Sequence, residues 1–110
     1  MGFFNLFGST GNNINELVEQ ARTTQGSLII DVRTPAEFTQ GHIEGATNIP
    51  LDSIQEIASK ISDRTTPLYL YCASGARSSN ACRFLESQGF EQVTNMGGIA
   101  SWRGPVIKGR

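Results

Sequence analysis

The sequence predicts an α/β fold, with a small, mostly parallel sheet flanked by helices on both faces. Short apolar runs alternate with amphipathic helical segments along the 110 residues, and such alternation produces parallel strands joined by helical crossovers. Residues 28–30 and 68–71 are short, continuous apolar runs, as buried strands are. No repeat, low-complexity segment or linker divides the chain, so we expect one domain over residues 12–110, preceded by an arm of residues 1–11.

An amphipathic helix precedes the first strand. Asn12 or Asn13 can cap its start, because a short polar side chain accepts hydrogen bonds from the free amides of the first turn. Its buried face consists of apolar residues at helical spacing, namely Ile14, Leu17, Val18 and Ala21. The strand that follows ends at Asp31.

The middle of the chain supplies a short helix, a short strand and a second helix. Thr34, Pro35 and Glu37 are a cap, a proline at the first helical position and a capping-box acid, so a helix begins there. Residues 46–49 form a strand that Pro50 closes. The next helix is indicated by its apolar face and its candidate caps: Leu51, Ile54, Ile57, Ala58 and Ile61, with Asp52 and Gln55 for capping.

The last third repeats this pattern. The strand over residues 68–71 leads, through a loop, into a helix from Ser78 that Gly89 is placed to end. Residues 93–96 form a last short strand, and residues 99–102 a single helical turn. Parallel sheets bind ligands at the carboxyl ends of their strands, so we expect the functional site at that edge.

The loop after the second long strand, residues 72–77, carries the chemistry. It begins with Cys72, ends with Arg77 and otherwise contains only small residues, which let successive amides curl around one point. Free amides and the dipole of the next helix favour negative charge there, and no Asp or Glu occurs in residues 64–85. We therefore predict that Cys72 is a thiolate nucleophile and that the following residues bind an anion beside it: Ala73, Ser74, Gly75, Ala76 and Arg77.

Plainer structural roles compete with these assignments. Cys72 can be a core cysteine at a strand end, since free cysteines are among the most buried residues. Arg77 can be a solvated arginine instead of binding an oxyanion with two N–H groups. Cys82 is predicted to be a small buried side chain; it would resolve an oxidised Cys72 only if the two Cα atoms came within about 7 Å.

Composition excludes several classes of function. Nine basic and ten acidic residues give no overall attraction to nucleic acid or to an anionic membrane, so we expect neither as a partner. Two cysteines and one histidine make neither a disulfide framework nor a zinc site, and we expect no metal or cofactor. This cysteine usage fits a reduced, cytoplasmic compartment. The apolar arm lacks the features of a signal peptide, and its phenylalanines are expected to pack on the domain or to contact a partner.

Five segments form a set in sequence order. They are residues 31–38 (DVRTPAEF), 41–43 (GHI), 45–50 (GATNIP), 72–77 (CASGAR) and 97–102 (GGIASW). This set resembles the signatures and the active-site loop of the rhodanese family of sulfurtransferases, in its short single-domain form. The resemblance implies a single rhodanese-like domain with sulfurtransferase activity.

The resemblance also implies a reaction through a persulfide on Cys72. The thiolate attacks the outer sulfur of a donor such as thiosulfate, sulfite leaves, and an acceptor nucleophile then removes the sulfur. The expected partners are a small sulfur-donor anion and a cyanide or thiol acceptor, which includes thiol proteins. Sulfite is a stable anion, so the reaction needs no general acid.

Five further residues are expected to support the site. The resemblance implies that Arg33 pairs with Glu37, and Asp31 can anchor loops nearby, so structural roles are favoured for all three. His42, the only histidine, can act as a general base, but its Gly-His-Ile setting favours a loop hydrogen bond. Ser78 can donate a hydroxyl hydrogen bond or cap the helix.

Two other functions are open from the sequence. Cysteine-dependent phosphatases and arsenate reductases use a similar loop of the form Cys-x5-Arg, whereas four residues separate Cys72 from Arg77. A non-catalytic rhodanese-like protein-binding module is the second alternative. Such modules often lack the loop cysteine, so the presence of Cys72 argues against it.

Overall fold

A four-stranded parallel sheet forms the centre of the protein. The computed structural model describes residues 13–110; the predicted arm and the candidate cap Asn12 lie outside this range. The strands are β1 (Leu28–Asp31), β2 (Ala46–Asn48), β3 (Leu68–Cys72) and β4 (Val93–Gly98). Their order across the sheet is β2-β1-β3-β4, and every neighbouring pair is parallel. The predicted fold class is confirmed.

Helices cover both faces of this sheet. They are α1 (Ile14–Thr23), α2 (Pro35–Gln40), α3 (Gln55–Lys60) and α4 (Ala76–Ser87), with 3-10 turns at Leu51–Ser53 and Ile99–Ser101. Asn13 caps α1 by accepting two amide hydrogen bonds, and the predicted capping box of Thr34 and Glu37 forms at the start of α2. Within residues 13–110, none of the helices is long and apolar enough to cross a membrane.

The helix predicted from Leu51 is divided into two pieces. The amide of Ile54 bonds three residues back, to Leu51, which makes a 3-10 turn before α3 begins. The cap positions of the two pieces fall on Pro50 and Ile54, whose side chains have no hydrogen-bond acceptor. The predicted capping by Asp52 and Gln55 is therefore wrong.

The central strand β3 divides the core between the two faces of the sheet. Leu68, Leu70 and Cys72 contact the apolar cluster under α3 and α4, whereas Tyr69 and Tyr71 contact the cluster that includes α1. Successive side chains of a strand point to opposite faces, and all five of these are buried. This alternation delivers the thiol of Cys72 to the side of the sheet on which α4 begins.

A buried ion pair fixes the chain after β1. Asp31 is fully buried and Arg33 is 7% exposed; Arg33 Nη2 lies 2.8 Å from Asp31 Oδ2, and Nε donates to both carboxylate oxygens at 3.1 Å. Arg33 also donates from Nη2 to the carbonyl of Gly41. The predicted pair of Arg33 with Glu37 is wrong, because the buried carboxylate two residues away requires the cation more strongly.

Replacing Arg33 with Met is expected to lower the free energy of unfolding by about 3–5 kcal/mol, because the Asp31 carboxylate would stay buried without its partner. Urea unfolding followed by tryptophan fluorescence measures the change. Lys60→Met is the control, since it opens an exposed pair with Glu56 at 3.8 Å, and such pairs contribute at most about 1 kcal/mol. Equal losses in both variants would contradict the importance of burial.

Candidate active site

The cysteine loop joins the end of β3 to the start of α4. Cys72 is the last residue of the strand, and the helix begins at Ala76, two residues before the predicted start at Ser78. Gly75 takes the cap position with a φ of 108°, a left-handed conformation that favours glycine. This turn directs the Gly75 amide back at the cysteine, and its nitrogen lies 2.9 Å from Cys72 Sγ.

The sulfur of Cys72 is buried and hydrogen-bonded. The residue is 1% exposed, and its sulfur also lies 3.5 Å from the hydroxyl oxygen of Ser78. Burial alone raises the pKa of the thiol, but the Ser78 hydroxyl and the amides of Ser78, Gly75 and Ser74 together outweigh burial, so the pKa of Cys72 is lowered. These donors are the physical basis of the predicted thiolate.

Cys82 demonstrates the effect of burial without the loop. It belongs to the same apolar cluster as Cys72, and burial raises the pKa of its thiol to about 12. A purely structural role for Cys72 would account for its low exposure. It would not explain why hydrogen-bond donors converge on the Cys72 thiol.

Ser78 and Asn95 form a polar network behind the sulfur. Ser78 is fully buried within the first turn of α4, and its Oγ lies 2.6 Å from Asn95 Oδ1 and 3.2 Å from the Gly75 carbonyl oxygen. Asn95 Oδ1 also accepts the Gly97 amide. A hydroxyl has one hydrogen to donate, so Asn95 Oδ1, the Gly75 carbonyl and the Cys72 sulfur compete for it. Asn95 has no role among the residues predicted above; its one signal in the sequence is a polar side chain inside a short strand.

Strand β4 supports the loop from behind. A Cβ on Gly98 would lie 2.3 Å from the carbonyl oxygen of Ala73 and 2.6 Å from the Cα of Ser74. The same Ala73 carbonyl accepts the amide of Ala100. Gly98 is therefore required because strand and loop approach too closely for any side chain. Ser74 and Ala76 lie on the exposed side of the loop.

Arg77 binds Glu37 at the edge of the loop. Its Nη1 and Nη2 donate to Glu37 Oε1 and Oε2 at 2.8 and 3.0 Å, and the two side chains are 36% and 34% exposed. The Arg77 hydrogen bond, followed by the Thr34 amide, lowers the pKa of Glu37 to about 2. Both terminal nitrogens of Arg77 thus have a carboxylate partner, and its predicted binding of an oxyanion stays a prediction.

His42 is held in a contact between the α2 end and the C-terminal segment. Its ring stacks on Phe38 with 3.7 Å between centroids, and Nδ1 lies 2.9 Å from the Phe38 carbonyl oxygen. Its main chain pairs with Ile107. The hydrogen bonds of His42 agree with the expected structural role in the loop and do not require a general-base role.

A cavity of about 510 Å³ opens beside the loop. Arg77 lines it together with residues that follow β1 and β2, among them Val32, Pro35, Leu51 and Asp52. It lies at the carboxyl edge of the sheet, where we expect ligands. In the described part of the chain, residues 13–110, no group of three or more His, Cys, Asp or Glu side chains is placed to hold a metal ion.

The site thus consists of a thiol with a lowered pKa at the end of a central parallel strand of an α/β domain. Comparison with known families makes the assignment specific, since residues 14–104 match the rhodanese-like domain. The chain belongs to the rhodanese-like domain family.

Similar proteins agree with this assignment. The chain is 40% identical over 87 residues to a sulfurtransferase of Allochromatium vinosum, covering 78% of this chain and 80% of the relative. It is 38% identical over 81 residues to the thiosulfate sulfurtransferase PspE of Escherichia coli, covering 73% and 78%. These relatives support a sulfurtransferase of the rhodanese type, and the chain is a thiosulfate-sulfurtransferase-like enzyme.

Solved structures share the fold. A rhodanese with anions from E. coli superposes with a TM-score of 0.69 at 37% identity, covering 76% of this chain and 99% of that one. The Alr3790 protein from Anabaena gives a TM-score of 0.75 at 30% identity, covering 87% and 79%. The expected rhodanese-like α/β fold is confirmed.

Replacing Ser78 with Ala is expected to raise the pKa of Cys72 and to slow its alkylation at neutral pH by about tenfold, because the thiolate loses a charge-assisted hydrogen bond. The rate of iodoacetamide modification, followed by mass across pH, measures this change. Ser79→Ala is the control, since that hydroxyl contacts Arg83 instead. A Ser78→Ala pH profile that overlaid the wild-type profile would mean that the hydroxyl donates to Asn95 or to the Gly75 carbonyl and not to the sulfur.

Replacing Gly98 with Ala is expected to lower the free energy of unfolding by about 1–3 kcal/mol, because the new methyl group must displace the main chain of the loop. It is also expected to slow alkylation of Cys72. Gly41→Ala is the control, since Gly41 has a φ of 161° and its Cβ would meet only the Val106 side chain, at 3.3 Å from Cγ2 and 3.6 Å from Cβ. Denaturant unfolding and alkylation rates measure both variants, and equal effects would refute the steric role of Gly98.

Proposed function

We propose that this protein carries a sulfane sulfur on Cys72, from a donor anion such as thiosulfate to a thiophilic acceptor. The observation that carries the proposal is the contrast between two buried cysteines. Hydrogen bonds at the start of α4 lower the pKa of Cys72, whereas burial raises that of Cys82. The thiolate is the nucleophilic form, and the sulfurtransferase relatives favour sulfur as its target.

In the first half-reaction the Cys72 thiolate attacks the outer sulfur of thiosulfate. A bond forms between the two sulfur atoms, the S–S bond of thiosulfate breaks, and sulfite leaves with the electron pair. Three negative charges enter and three remain, two on sulfite and one on the persulfide. No proton moves, so no general acid or base is required.

In the second half-reaction an acceptor attacks the outer sulfur of the persulfide. Cyanide leaves as thiocyanate, or a thiolate leaves as a persulfide of its own, and the Cys72 thiolate is regenerated. The negative outer sulfur lies within the ring of residues 73–77, where main-chain amides and the α4 N-terminus stabilise it. The acceptor class includes small thiols and thiol proteins, and one similar protein of Bacillus subtilis is named a putative sulfur carrier protein. A reduced thiol suits the cytoplasm.

Phosphoester cleavage fits this site less well. Its leaving oxygen usually needs a general acid near neutral pH. The carboxyl group that contacts the loop, through Arg77, is Glu37, whose pKa of about 2 keeps it ionised. The loop is also one residue shorter than Cys-x5-Arg, which narrows the ring in favour of a single sulfur atom. A binding module without catalysis would leave the donors around the Cys72 sulfur unexplained.

Incubating the reduced protein with thiosulfate is expected to add the mass of one sulfur atom, which cyanide then removes as thiocyanate. Cys72→Ser is expected to take up no sulfur, because the nucleophile is absent. Cys82→Ser is the matched control and is expected to load as the wild type does. Intact-mass spectrometry measures all three proteins.

Each other outcome contradicts the proposal in its own way. Sulfur uptake by Cys72→Ser would place the nucleophile elsewhere. Release of phosphate from an aryl phosphate without sulfur uptake would favour the phosphatase. If the protein neither takes up sulfur nor releases phosphate, the non-catalytic protein-binding module is the remaining hypothesis.

A further inference from the structure

We propose that Glu37 is a specificity-determining residue: its carboxylate binds the guanidinium of Arg77 in place of an incoming oxyanion, so the site disfavours anions that can bind through oxygen atoms alone relative to a sulfane-sulfur donor. Sulfate and phosphate are the anions in question. The identity of the donor rests on the function proposed above. The competition for Arg77 rests on the contacts of the Glu37 side chain alone.

The Arg77 N–H groups that an oxyanion would use already donate to Glu37. An arginine binds carboxylate or sulfate best through two parallel N–H groups. In this site the two terminal nitrogens of Arg77 point at the two oxygens of Glu37, at 2.8 and 3.0 Å. An anion that enters beside Cys72 finds this end of the guanidinium already bound.

Glu37 is held in place independently of Arg77. Its Oε1 accepts the amide of Thr34 at 2.9 Å and the Thr34 hydroxyl at 3.1 Å, in the capping box that starts α2. The carboxylate is therefore positioned before any anion arrives. Its pKa of about 2 keeps it ionised throughout the neutral range, so protonation does not release Arg77.

The charges weaken the binding of sulfate, phosphate and thiosulfate alike, because Arg77 and Glu37 together carry no net charge. The difference between these anions comes from the outer sulfur of thiosulfate, which can react with Cys72 inside the ring of loop amides. Sulfate and phosphate have no such atom, so their affinity for the site depends more on the guanidinium that Glu37 occupies.

The test is to replace Glu37 with Gln and to measure how strongly sulfate protects Cys72 from iodoacetamide. Glutamine can still accept the Thr34 amide through Oε1 in a capping box, and the same oxygen still accepts Arg77 Nη1. Its NH2 group faces Arg77 Nη2 and frees that donor. We expect Glu37→Gln to bind sulfate about tenfold more tightly, a change typical of one charge-assisted hydrogen bond. The KM for thiosulfate is expected to fall by about threefold at most, since part of that affinity comes from the outer sulfur.

Arg77→Ala and the double variant complete the cycle. Arg77→Ala exposes the Glu37 carboxylate and is expected to weaken sulfate protection, whereas Glu37→Gln with Arg77→Ala is expected to return to the wild-type value. Glu19→Gln is the control for net charge, because Glu19 pairs with Arg22 at an exposed position of α1. It is expected to leave sulfate protection unchanged.

The proposal is overturned if Glu37→Gln fails to bind sulfate more tightly than Glu19→Gln does, or if the gain persists in the double variant. Equal gains for sulfate and thiosulfate would also overturn it, since specificity would be unchanged. If Glu37→Gln does not fold, Glu37→Asp decides, because its carboxylate is one methylene further from Arg77, and unchanged sulfate protection in that variant refutes the proposal. Protection by sulfate needs no sulfur transfer, so failure to load sulfur would count against the proposed function without affecting this measurement.

Discussion

The hydrogen bonds that converge on the Cys72 sulfur are the interaction on which the site depends. A thiolate with 1% exposure would be strongly unfavourable in an apolar core, because burial disfavours the charged form. The end of β3 puts the sulfur beside the first turn of α4, and the left-handed Gly75 aims an amide at it. Gly98 lets β4 pack directly behind the loop. Each of these features serves to bring donors to one atom.

Local signals in the sequence predict the parts of this arrangement that neighbouring residues determine. The capping box at Thr34, the buried run that becomes β3 and the small residues after Cys72 all specify their own backbone, and the structure agrees with them. The break before α3 is a local feature that helical periodicity misses, because the apolar spacing continues through the 3-10 turn.

Partners of charged and polar side chains are harder to predict, because they depend on how distant elements pack. Glu37 is close to Arg33 in sequence and far from Arg77, yet it binds Arg77 across 40 positions. Arg33 turns instead to Asp31, the carboxylate that burial leaves in greatest need of a cation. Asn95 reaches Ser78 only because β4 lies next to β3 in the sheet. The absence of acids in residues 64–85 suggests a positive site, but α2 supplies the missing carboxylate.

Main-chain amides surround the Cys72 sulfur, and the charge of the nearby Arg77 is neutralised by Glu37. Such a site is suited to a reaction in which negative charge moves from one sulfur atom to another. In the proposed sulfur transfer the negative charge passes from Sγ to an outer sulfur one S–S bond away, about 2 Å. A single ion pair would stabilise one of these positions and hinder the step to the other. Amides spread around the loop and at the α4 N-terminus stabilise both. If Arg77 is held away by Glu37, neither the thiolate nor the persulfide is favoured so strongly that the sulfur cannot be passed on.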